Sequence, residues 1–200
     1  MNSTIESAPQ TSGPEQGKLA VSNGKPPYGL LNSTQINIVT TIDMSRALQT
    51  WSLADSAYLM DNSPTSTGKG TPHLETVCRQ GQVLNWLLYF VDMKQQSDGT
   101  WPQFAQIVNI VFLNPGSTAV YPGQVCTEFK IFGGPDAVRS KLVPSYYYWA
   151  GAVLPDLTPG RYPYRLIVQC NPPLAQGNSL LQLDGPALRV IPVDAPSAGA

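Results

Sequence analysis

From about residue 34 to residue 193 the chain runs in short apolar or alternating stretches separated by turn residues, the pattern of successive β-strands. Gln35 to Asp43 alternates polar and apolar positions and is rich in β-branched residues, as a half-buried strand requires. Ala57 to Met60 follows after a short polar link. Gln82 to Val91 and Phe104 to Leu113 are almost continuously apolar, which predicts central strands. Between them, Ser97, Asp98 and Gly99 predict a hairpin-like connection. Val125 to Phe132, Tyr146 to Val153, Tyr162 to Gln169 and Leu180 to Ile191 complete the set, with turns at Asn114, Gly133, Thr158 and Asn171. Only Met44 to Ala54 has a helical claim, and its apolar spacing is irregular.

Many short strands without strand–helix alternation predict an all-β fold, a two-sheet antiparallel β-sandwich of jelly-roll type. About 160 residues suffice for a core that buries roughly 70% of the unfolded surface. No repeat of 20–50 residues is evident, against a propeller or solenoid. Residues 1–33 are rich in Ser, Thr, Asn, Gln, Gly and Pro, too polar to offset their ordering entropy, and are expected to form a flexible tail ahead of a domain at 34–193. Sequons at Asn2 and Asn32 fall in or beside that tail and read as chance matches. Residues 194–200 are expected to form a short C-terminal tail.

Composition narrows the function classes. Seventeen glycines and 19 prolines agree with a turn-rich chain. Charged residues make up 12%, about half the roughly 25% usual in soluble proteins, and the net charge is −1. Twelve scattered Lys and Arg form no basic stripe, so no nucleic-acid partner is expected. Near-zero charge weakens self-repulsion and favours association between copies. No apolar run is long enough for a membrane span, and the first twenty residues show no secretory pattern. Cys78, Cys126 and Cys170 form neither a paired motif nor a disulfide framework and are read as reduced core residues of a cytoplasmic protein.

His73 is the sole histidine, which leaves no His-rich metal centre and no ready catalytic triad. The segment Gly68, Lys69, Gly70, Thr71 lacks the earlier glycine and following helix of a phosphate loop. Acids fall at strand ends or turns: Asp43, Asp61, Asp92, Asp98, Asp136, Asp156 and Asp184. Asp43, Asp61 and Asn62 would offer oxygen ligands to Ca²⁺ if their loops converged, though Asp at a strand end is more commonly a turn former. No other cofactor is implied. A carboxylate-based glycan hydrolase is the alternative reading and requires two acids facing across a cleft. The aromatic run from Tyr146 to Trp149 splits between two strand faces, with Tyr146 and Tyr148 on one and Tyr147 and Trp149 on the other. Tyr146, Tyr148 and Trp149, with Asp61 and Asn62, are the candidate ligand-binding residues; cross-strand packing is the competing role for the aromatics.

The order of segments resembles the AidA/PixA inclusion-body family. The resemblance rests on Ile36 to Asp43, Tyr58 to Asn62, Ser66 to Thr71, Gly81 to Trp86, Val91 with Asp92, Trp149 to Gly151, Tyr162 to Tyr164 and Leu183 to Leu188. It covers about residues 35–192. The long polar tail, Pro64 and Gly185 depart from it. It implies a non-enzymatic β protein that self-associates or accumulates in cytoplasmic inclusions, linked to quorum sensing and host association. Lectin-like recognition of glycans or host surfaces is the expectation that joins this resemblance to the aromatics. The resemblance supplies no catalytic residues.

Overall fold

A computed structural model describes residues 35–91, 106–133, 147–169 and 180–194. Residues 1–33 and 195–200 of the expected tails, the sequons, the Ser97 to Gly99 turn, Tyr146, Cys170 and the acids Asp92, Asp98 and Asp136 lie outside the described residues.

The described elements are β1 (Ile36–Asp43), α1 (Met44–Thr50), β2 (Ala57–Asp61), β3 (Glu75–Arg79), β4 (Val83–Val91), β5 (Gln106–Phe112), β6 (Lys130–Gly133), β7 (Tyr147–Ala152), β8 (Gly160–Gln169) and β9 (Leu180–Ile191). They form a five-stranded sheet in the order β2-β1-β4-β7-β6 and a four-stranded sheet in the order β3-β9-β8-β5. The all-β, two-sheet architecture is as the pattern predicts. The sheets are mixed rather than purely antiparallel, because β1 pairs β4 in parallel and β3 pairs β9 in parallel.

Two further expectations need correction. β4 is central as expected, but β5 is an edge strand of the other sheet, so the link between them is no hairpin. Turn chemistry at Ser97 to Gly99 is local, whereas sheet membership is decided by distant partners. The segment expected as a strand from Val125 supplies only a bridge at Cys126 to Val153 before β6 begins at Lys130.

The interior lies between the sheets. Ile38, Leu59, Leu84 and Trp86 face it from one side, and Tyr164, Leu166, Leu183 and Leu188 from the other. Trp86, fully buried, meets Phe129 edge-on at 5.4 Å and Tyr164 at 6.1 Å, filling the gap between sheets. Helix α1 is capped where Asp43 Oδ1 accepts from the Arg46 backbone N–H at 2.9 Å, and it stops at Trp51, whose φ is 55°.

One bulge explains an otherwise puzzling pattern in β9. Pro163 pairs Ala187 and Arg165 pairs Asp184, so β9 carries an extra residue. Leu181 and Leu183 point inward at odd positions; after the bulge, Leu188 and Val190 do so at even ones. Gly185 makes this possible. Its φ is 142°, and a Cβ there would lie 2.8 Å from His73 Nδ1 and 2.9 Å from the Pro72 carbonyl. The departure at Gly185 is therefore a built bulge.

Candidate interaction surface

The expected ligand residues have separate positions. Asp61 pairs Ile38 and so turns inward; its side chain is fully buried. Its Oδ1 accepts from the Ser63 N–H at 3.1 Å and lies 3.3 Å from Lys69 Nζ. Lys69 also donates to the Ser63 carbonyl at 2.6 Å and the Asp61 carbonyl at 3.1 Å, tying the connection after β2 into one knot. A buried carboxylate requires such a partner. Asn62 accepts from the Asn37 N–H at 2.8 Å and donates to the Gln35 carbonyl at 3.0 Å, pinning the start of β1.

Asp43 lies at the other end of β1, five residues past the position opposite Asp61, or about 16 Å along the strand. Asp43, Asp61 and Asn62 are thus not brought together as a calcium cage. Among the described residues no group of three His, Cys, Asp or Glu side chains is placed to hold a metal. Asp43, Asp61 and Asp184 do not face one another across a cleft either: Asp43 caps α1, Asp61 is buried and Asp184 is held by Arg165 on the four-stranded sheet. His73 is exposed in a loop.

The aromatics divide as strand alternation requires. Trp149 turns inward, donates from Nε1 to the Ile107 carbonyl of β5 at 3.0 Å and packs on Phe129, bracing one sheet against the other. Tyr148 is on the outward face and stacks on Phe132 at 5.0 Å with an interplanar angle of 14°. Tyr148 and Trp149 therefore cannot share one ligand. Phe132 was missed in the sequence because its strand is a short edge one; its pairing with Tyr148 is a matter of register.

Register places Tyr148 in a larger feature. Val39 pairs Met60 and Leu87, Leu87 pairs Tyr148, and Tyr148 pairs Phe132. Met60, Val39, Leu87, Tyr148 and Phe132 thus form one row across all five strands on the outward face. Tyr58, Thr41 and Tyr89 form a second row beside it. Met60 is 53% exposed, Tyr89 46%, Phe132 42% and Tyr58 41%, so this is open surface. Among the described residues, charge on this face is confined to its margins, at Lys130 in edge strand β6 and at Asp43.

A shallow groove of about 400 Å³ lies elsewhere, lined chiefly by Phe112, Val120, Tyr121, Val125, Cys126 and Phe129. Burial pushes the Cys126 thiol up to about 12, so it offers no thiolate there at neutral pH. Cys78 and Cys126 are both buried and free, as expected of core cysteines.

Residues 34–174 match the family model described as "Domain of unknown function (DUF8788)". No curated protein matches the chain. Among solved structures, the crystal structure of an inclusion body protein (PixA) from Burkholderia cenocepacia J2315 is similar, with a TM-score of 0.48 and 9% identity. The likeness covers 80% of this chain and 94% of that one. It is distant and gives no residue-level correspondence. Among the described residues no helix is long and apolar enough to cross a membrane.

Proposed function

The chain belongs to the DUF8788 family, whose description assigns no activity, and we propose that it is a non-enzymatic protein that works by associating with copies of itself. The observation that carries this reading is the apolar face spanning the five-stranded sheet, with charge among the described residues only at its margins. Its two rows contain Tyr58, Met60, Tyr89 and Phe132, all exposed. Contiguous apolar surface of this extent marks docking sites. A net charge of −1 leaves copies with little mutual repulsion. Deposition in cytoplasmic inclusions, the role implied by the AidA/PixA-like order of segments, would add further contacts between the associated copies. Light scattering against concentration tests the reading. The mass is expected to rise with concentration; a constant monomer mass up to about 500 µM would contradict it.

Glycan recognition is the second reading, favoured by one observation. Tyr58 and Tyr89 flank Thr41 on the same outward face, offering rings with polar tips beside a hydroxyl. The Tyr148 and Phe132 rings are stacked on each other, so each has at most one face left for a sugar. A glycan array in calcium and again in chelator separates the readings. Selective binding lost by Tyr89→Ala would support a lectin, and absence of binding in both conditions would leave self-association alone.

A further inference from the structure

The self-association proposed above leaves open which surfaces meet, and the two outward faces of the sandwich answer differently. On the four-stranded sheet, Glu75 contacts Arg161 at 2.8 Å and Arg189 at 3.3 Å, and Arg165 grips Asp184 at 2.5 Å. Covering that face would strip water from five charged groups, a desolvation cost that their mutual attraction does not readily offset. The five-stranded sheet carries no such cost across its two central rows.

Size gives a second constraint. Strands about 4.8 Å apart, with five residues in β2, eight in β1, nine in β4, six in β7 and four in β6, make a face of roughly 500 Å². Two such faces in contact would bury about 1,000 Å² in total, the size of a weak, concentration-dependent interface rather than a permanent one. The area suits one further sheet of the same width, which a second copy supplies.

Resting on the self-association reading, we propose that two copies dock face to face through their five-stranded sheets, the apolar row of one lying on that of the other. Like meets like in this arrangement, so the interface is isologous and closes as a dimer. β4 is the middle strand of five, so Leu87 sits at the centre of the row. Any two-fold axis that superimposes the two rows brings Leu87 close to its own mate. Central positions of this kind carry most of the binding energy, with rim positions such as Phe132 carrying less.

The test is sedimentation equilibrium of the full chain over roughly 1–500 µM, the range in which a dimer with so small an interface dissociates. Leu87→Glu places two like charges at the centre and is expected to raise the dissociation constant at least about a hundredfold. Phe132→Ser, at the rim and milder for folding, is expected to raise it about tenfold. Gln182→Glu adds the same charge to the outward face of β9 and is expected to leave it unchanged. Thermal unfolding of each variant separates loss of association from loss of fold. If the wild type associates and neither Leu87→Glu nor Phe132→Ser weakens it, the face is wrong while self-association stands. If the wild type is monomeric throughout, both statements fail.

Discussion

The two outward faces of this sandwich are built from strands with the same alternation, yet they hold opposite chemistry. On the four-stranded sheet, Arg161 and Arg189 stand directly opposite one another on β8 and β9. Glu75 on β3 reaches both and offsets their repulsion. Arg165 binds Asp184 through two parallel N–H···O contacts, which hold its guanidinium above the ordinary range. On the five-stranded sheet the equivalent outward positions are Val39, Leu87, Tyr89, Tyr148 and Phe132. A face meant to remain wet can be held by exposed ion pairs, whose net contribution is small. A face without them has only apolar area to offer, and its stabilisation must come from being covered. The difference teaches that outward residues, more than strand order, distinguish the working face from the solvated one.

The comparison can be broken or sharpened in several ways. The largest effect is expected from Trp86→Ala, which empties the space between the sheets and undermines both faces together. A loss of about 3–5 kcal/mol in chemical denaturation is expected. Gly185→Val should separate the faces. It forces a branched side chain into a φ of 142° and against His73 and Pro72, for a loss of about 2–3 kcal/mol. Because the bulge is on the four-stranded sheet, self-association at temperatures below unfolding should survive, as sedimentation of the variant would show.

Alkaline pH should weaken the shared interior without favouring either face. Burial pushes the Cys126 thiol from its ordinary 9.0 up to about 12 and raises Cys78 and Tyr164 as well. The folded state then holds protons that the unfolded chain releases. These groups contribute stability that is fully present below about pH 9 and is lost progressively as pH rises towards 12. Urea unfolding across pH 7–11 should be flat in their contribution at first and fall above pH 9. The smallest effect is expected from Glu75→Gln, which releases Arg161 and Arg189. Their exposure limits the loss to about 0.5–1 kcal/mol, diminishing in high salt.

Much of this architecture is legible in the sequence because it depends on local periodicity. β1, β4, β7, β8 and β9 follow their apolar patterns to within a few residues, and α1 occupies the start of the Met44 to Ala54 segment. β3 escaped because its five residues include Glu75 and Arg79; its inward positions, Thr76 and Cys78, are the weak alternating signal that could have revealed it. What resisted prediction was non-local. Asp61 looks like any turn-forming acid until its pairing with Ile38 turns it inward beside Lys69. The near-continuous apolar run of β4 conceals that Leu87 and Tyr89 face outward while Trp86 and Leu88 are buried. The row from Met60 to Phe132 joins five strands that are not consecutive in the chain, so no window of sequence contains it. Of the candidate site residues among those described, only Tyr148 belongs to it.

The most direct measurement is disulfide trapping at the centre of the row. Leu87→Cys would be made in a Cys170→Ser background, where the remaining Cys78 and Cys126 are buried. Mild oxidation of the full chain is expected to give a covalent dimer through residue 87, whereas Gln182→Cys in the same background stays monomeric. Efficient trapping through residue 182 with none through residue 87 would contradict the account and move the interface to the charged sheet.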